Sequence, residues 1–408
     1  MIKFWSITAV VLFFSATLVL NHEISEHSDQ LFLVDTHIDV PYRLAREFED
    51  IGKATENGDF DYPRARAGNL HAAFMSIFVP VEKQRSGTAR DFANYLIDLV
   101  ELVCRRHGDK FEIAHSTHHL QKIVRSQRIA LALGIENGAA IENDIDNLEQ
   151  FFRRGVRYIT LAHGKANQIA DSSYDDERPW NGLSPFGQRV VREMNRLGIM
   201  IDVSHITDEA VDDVLALSSV PVLATHSSAR AFTPGFERNL SDELITRIAA
   251  AGGVIQVNFG SAFLTADANR WYIDYFAKEA AYRDANELSQ YEPVPVFERE
   301  YRRENPPPYA DIDDVLDHID HIVALVGVDH VGFGSDFDGV GDSLPNGLKS
   351  VADYPALLEG LRQRGYSDGD IRQIAGGNTL RVWKAAERYA EARRVLSQRY
   401  QNSRFGLQ

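Results

Sequence analysis

A chain of 408 residues with 44% hydrophobic and 25% charged side chains has the composition of a globular protein, long enough for one large α/β barrel or two smaller domains, and disorder is excluded as the default. Its formal net charge of −16 argues against nucleic acid and anionic membrane as partners, because phosphate recognition needs a basic face. Cys104 is the single cysteine, so an internal disulfide framework and a thiolate metal cluster are both excluded. Any metal must be held by His, Asp and Glu.

Residues 1–22 read differently from the rest. Lys3 precedes the apolar run FWSITAVVLFFSATLVL, and Glu23, Glu26 and Asp29 follow it. This is the pattern of a signal peptide or an uncleaved N-terminal membrane anchor, and it makes the body an exported protein, periplasmic or otherwise extracytoplasmic. The membrane is then met only through that segment.

The body opens with LFLVDTHIDVP, residues 31–41, a strand whose period of two puts His37 and Asp39 on one face. Further strand-type runs fall at 71–79, 129–135, 156–161, 199–203, 220–224, 254–259 and 330–334. Helix-period segments at 88–107, 185–197, 208–217, 242–251 and 312–326 separate most of them, and the stretch 354–396 is mostly helical. Eight strand–helix units are the sequence form of a (β/α)8 TIM barrel, here a single domain over residues 31–397 with C-terminal helices. One irregular insertion, 264–311, rich in proline and charge, lies between strands seven and eight. It follows the carboxyl end of a strand, hence emerges on the active-site face, and is read as a lid.

His37, Asp39, Glu136, His163, His205, His226 and Asp336 all sit at or just beyond the carboxyl ends of predicted strands. In a barrel these ends meet on one rim, where this architecture builds its sites. Seven such positions in a chain with only 14 histidines point to function rather than to seven separate turns and caps. Imidazole and carboxylate without thiolate suit a pair of divalent ions, zinc first, with manganese, cobalt or iron as alternatives. Glu136 lies between the His37/Asp39 pair and the His205/His226 pair in strand order, so its carboxylate is placed to bridge. Two zinc ions against Asp39, Glu136 and a bridging hydroxide come near charge balance and make hydroxide available at neutral pH.

The motifs DTHIDVP, GIENG, RYITLAH, ADSS, GLSPFGQRVVREMNRLGIMIDVSH, THSSAR, RNLSDE, DHIDHI, GFGSDFDGV and GGNTLRV run through nearly the whole body. With them the sequence resembles the membrane dipeptidase (renal dipeptidase) family of metallopeptidases, within the amidohydrolase-like barrels. The resemblance implies that His37 and Asp39 bind one zinc, His205 and His226 the other, and Glu136 both. It further implies that His163 steadies the oxyanion of the tetrahedral intermediate, that Asp336 carries the proton from water to the leaving amine, and that Arg238, in FERNLSDE, clamps the free carboxylate of a dipeptide. A homodimer is also common in that family. Asp202 is read as support for the ligands, Asp338 as a neighbour of the catalytic carboxylate, Asp171, Ser172 and Asn378 as structural or supporting, and His115, His118 and His119 as solvated.

The expected activity is therefore hydrolysis of dipeptides, with tolerance for a D-residue at the C-terminal side. Two departures bear on the substrate: Gly260 stands where some members carry an aromatic residue, and the long insertion follows directly. The same centre acting on another small amide, a lactone or a biosynthetic precursor is the alternative enzyme reading. A non-hydrolytic maturation or binding protein is the third, opposed by the complete ligand set.

Overall fold

Small and branched apolar residues alternate along strands β1 (Val34–Ile38), β2 (Ala72–Phe78), β4 (Ile129–Glu136) and β5 (Val156–Thr160), and the alternation sorts them into two buried layers. In β2, Ala72 and Phe74 face the inside of the sheet, whereas Ala73, Met75 and Ile77 face the surrounding helices. The computed structural model describes residues 31–289 and 294–405. The N-terminal apolar run lies outside them, and no helix among the described residues is long and apolar enough to cross a membrane.

The remaining strands are β3 (Phe111–Ile113), β6 (Met200–Asp202), β7 (Leu223–Ala224), β8 (Val254–Val257) and β9 (Val331–Phe333). All pairings are parallel, in the order β1-β2-β4-β5-β6-β7-β8-β9. Just past β9, Ile38 bridges to Phe337, the Asp39 N–H donates to Phe337 O at 2.9 Å and the Asp336 N–H to His37 O at 3.0 Å, which brings the last strand back to the first. The expected eight-stranded barrel is present. β3, absent from the sequence-based expectation, is an addition: three residues pairing with Ile129–Leu131 below the point where β5 begins its register at Leu133.

The inner layer at the amino ends of the strands, Val34, Ala72, Ala130, Met200, Leu223 and Val254, packs with Phe74, Tyr158 and Trp383. Trp383 belongs to the long C-terminal helix Asn378–Phe405, which stops that end of the barrel. The other end is left to the loops. The insertion 264–311, expected to be irregular, carries helices at Ala266–Ala285 and Pro295–Glu304 among its described residues, led into by a short helix at Ser261–Leu264. This lead-in is tied to the barrel: Ser261 N–H donates to Ser343 O (2.8 Å), and His318 Nε2 donates to Leu264 O (2.9 Å).

His318, in the helix Ile312–Val326, also accepts the Ala229 N–H on Nδ1 (3.0 Å), so it is neutral and pins the loop after β7 to the insertion. Burial takes its pKa from 6.5 down to about 4. Between those values the unfolded chain binds the proton and the folded one does not, so stability falls as pH drops through this window, by about 3 kcal/mol for this group. The urea midpoint of the native chain should therefore fall more from pH 6.5 to 4 than that of His318→Gln; parallel falls would contradict this.

Candidate metal centre

The register of β1 against β2 shifts between Asp35 and Ile38: Asp35 pairs with Ala73 but Ile38 with Met75, so one extra residue of β1 is taken up between them. Asp35 and Ile38 stay on the outer side, and His37 and Asp39 both turn inward. Asp35 secures the turn from behind, accepting from the His37 N–H at 3.0 Å, the Ser335 hydroxyl at 2.5 Å and the Tyr354 hydroxyl at 2.6 Å. His37 Nδ1 meets the Tyr158 hydroxyl at 2.9 Å, and its Nε2 faces Asp39 Oδ2 and Glu136 Oε2, each at 3.4 Å.

Glu136, the last residue of β4, occupies the middle. Its Oε2 lies on the His37 side and accepts from the Ser76 hydroxyl at 3.2 Å. Its Oε1 faces three imidazoles, His205 Nε2 at 3.0 Å, His226 Nε2 at 3.3 Å and His163 Nε2 at 3.4 Å. One carboxylate thus stands between two groups of nitrogen donors.

His226 follows β7, and its Nδ1 lies 2.7 Å from the Thr225 hydroxyl, which itself donates to Asp202 Oδ2 at 2.7 Å. Having given its proton to Asp202, the hydroxyl accepts from Nδ1–H, which leaves the Nε2 lone pair directed into the cluster. Asp202 also takes the Thr160 hydroxyl and the amides of Ser204 and Thr225, the supporting position read for it from sequence. His205 and Asp336 hold left-handed backbone conformations, φ +71° and +63°, a local strain that marks both rim turns. Asp336 Oδ2 accepts from Asn258 Nδ2 at 2.8 Å. Gly339 admits it: a Cβ there would lie 2.3 Å from both Asp336 Oδ1 and Asp39 Oδ2.

Arg238 is only 2% exposed. Its guanidinium donates to the Ser227 hydroxyl and to His226 O, both at 2.8 Å, approaches His205 Nε2 at 3.0 Å and covers the Phe263 ring at 5.2 Å. Among the described residues its Nε has no hydrogen-bond partner. No carboxylate among them pairs with the guanidinium either, so it has the chemistry to receive an anion.

Burial works against charge on Glu136, but His163, His37 and the close imidazoles of His205 and His226 hold it well below the usual carboxylate range. Burial and neighbouring positive charge keep His205 and His226 well below the ordinary imidazole range. His37 goes the other way: burial opposes its proton, but Tyr158, Glu136 and Asp39 outweigh that and raise it. Burial pushes Asp336 up to about 7, with His37 opposing and Asp39 and Glu136 adding.

This donor set fits metal ions. Among the described residues, His37 Nε2 and Asp39 Oδ1 are buried without a hydrogen-bond partner, and His205 Nε2 and His226 Nε2 face each other at 2.8 Å. Among the described residues, three groups bring their ligand atoms within 4.8 Å: His37, Glu136, His226; Glu136, His163, His205; and His37, Asp39, Asp336. All three belong to this cluster, and together they contain the seven rim residues singled out in the sequence.

Asp338 does not point into the cluster. It accepts from the Asp59 N–H at 2.7 Å and pairs with Arg43 at 3.2 Å, fixing the loop behind Asp336. Asp171 holds its own loop through the Trp180 and Gly182 amides, Ser172 bonds His163 O, and Asn378 bonds Val328 O and Val331 O. His115 and His118 are exposed, but His119 is half-buried against Glu112 at 3.2 Å rather than solvated. Sequence reasoning missed Tyr158, Thr225, Ser76 and Asn258 as partners of the cluster. Tyr158 and Thr225 lie within the motifs RYITLAH and THSSAR, whereas Ser76 and Asn258 lie outside every motif and carried no signal.

The description of a family model, membrane dipeptidase (peptidase family M19), matches residues 22–397. Dipeptidase tcpJ of Claviceps purpurea is 30% identical over 390 residues, covering 92% of this chain and 80% of that protein. Among solved structures, the probable dipeptidase PvdM from Pseudomonas aeruginosa is 28% identical with a TM-score of 0.75, covering 90% of this chain and 98% of that one. A metallo peptidase from Rhodobacter sphaeroides, liganded with a phosphinate mimic of the dipeptide L-Ala-D-Ala, is 25% identical with a TM-score of 0.72, covering 88% and 100%. A match of that extent, on a barrel whose rim gathers this set of imidazoles and carboxylates, means that the chain belongs to the membrane dipeptidase family of metallopeptidases, M19.

Proposed function

We propose that the chain is a dipeptidase working with two divalent ions, zinc in the first place: His37 and Asp39 would hold one, His205 and His226 the other, and Glu136 would serve both. The observation that carries this reading is the position of Glu136, with Oε2 toward His37 and Oε1 toward His205 and His226. When bound, such ions supply Lewis acidity toward the scissile carbonyl and acidify water at neutral pH.

The chain's own groups do the rest. Arg238 receives the dipeptide's C-terminal carboxylate and so fixes which carbonyl lies over the cluster. His163, the most open of the four imidazoles, donates to the oxygen that becomes negative as water adds to the carbonyl. Asp336 accepts the proton that water loses as the C–O bond forms and returns it to the amine as the C–N bond breaks. Burial beside Asp39 and Glu136 raises the affinity of this carboxyl for the proton it takes up. The L-Ala-D-Ala mimic in the Rhodobacter relative supports a D-residue at the C-terminal side. The short helix Ser261–Leu264 brings Phe263 against Arg238, the insertion 264–311 that follows serves as the lid, and the N-terminal run exports the protein.

The test is a steady-state panel of L,L and L,D dipeptides against lactones and N-acyl amino acids. Dipeptides should be turned over, and Arg238→Ala should raise KM for them by about 10–100-fold with a smaller change in kcat. Flat activity on every dipeptide would reject the proposal.

A further inference from the structure

The catalytic reading above leaves Tyr158 without a task, although its side chain is fully buried inside the barrel and its hydroxyl bonds a cluster histidine. The ring is held on two sides. Phe74 packs on it at 5.3 Å and on Trp383 of the C-terminal helix at 5.3 Å. Gly134 provides the space on the neighbouring strand, where a Cβ would come within 2.0 Å of Tyr158 Cζ. The phenol is thus fixed by packing, not by the histidine it touches.

The three inner imidazoles have unequal support. Among the described residues, His226 is braced through Thr225 to the Asp202 carboxylate, His205 Nδ1 has no partner, and His37 rests on a phenol. An imidazole can direct the Nε2 lone pair at a cation only with its proton on Nδ1, and a buried N–H needs an acceptor. For His37 that acceptor is Tyr158 Oη.

We infer that Tyr158 is a positioning residue that sets the metal affinity of the His37–Asp39 half of the centre, and of that half alone. This rests on the two-ion reading proposed above. Removing the hydroxyl leaves Nδ1–H without an acceptor or lets the ring turn, and either outcome spoils the aim of Nε2. His226 keeps its own brace, so the other half is spared.

The experiment uses the full chain stripped of metal and titrated with Zn2+ against a competing chelator. The native chain should bind two ions. Tyr158→Phe should weaken one of them about 10–100-fold and leave the other within about 2-fold. Thr225→Val should weaken the opposite ion, so the double variant weakens both. Phe74→Leu, which loosens the ring without touching His37, should give a smaller loss in the same half as Tyr158→Phe and stands in if that variant does not fold. Equal weakening of both ions, or an unaltered isotherm, overturns the inference. A native chain that binds no Zn2+ overturns the two-ion reading and this inference with it, whereas two ions bound and no effect of the hydroxyl overturns this inference only.

Discussion

Asp336→Asn should keep both metal ions and lose about 10²–10⁴-fold in turnover. The side chain lies within the cluster, near His37 and Asp39, and Asn258 Nδ2 donates to it at 2.8 Å. An amide of the same shape can still accept that hydrogen bond on its carbonyl oxygen. It cannot take up a proton from water or return one to an amine. Metal content by elemental analysis beside the steady-state rate separates the two effects. An unchanged rate would remove Asp336 from proton transfer, and a loss of metal in proportion to activity would make it a ligand instead.

Glu136→Gln should be more severe, with metal content falling below half of the native value and dipeptide turnover dropping below detection. Two divalent ions bring a large positive charge into a pocket where the other ligand carboxylate is Asp39. Removing one of two negative charges leaves the ions repelling each other with little to offset it. The amide also turns an N–H2 toward either His37 Nε2 or the three imidazoles that face Oε1, whichever way it is placed. Native metal content with a native rate would show that Glu136 is not shared between two ions.

The rim was legible because the residues that build it are chemically loud. His37, Asp39, Glu136, His205, His226 and Asp336 are polar residues that end apolar runs, and the barrel rule gathers such ends in one place. The support beneath them was not. Tyr158 and Ser76 look like ordinary strand residues, and Thr225 like a turn hydroxyl, until the sheet closes and brings Tyr158 to His37 and Thr225 to both His226 and Asp202. The bulge in β1 was equally hidden, since a one-residue register shift depends on the partner strand and leaves no local mark. The helix Ala266–Ala285 escaped because Trp271, Tyr272, Ile273, Tyr275 and Phe276 spread apolar surface around it and leave no single apolar stripe to recognise. β3 is three residues long, too short for any period to show.

Crystals of the zinc-loaded protein measured at the zinc absorption edge test the central claim most directly. Two anomalous peaks flanking Glu136, one against His37 and Asp39 and the other against His205 and His226, are the predicted result. A single peak, no peak at the rim, or a second peak held by His163 with His226 left free would contradict it.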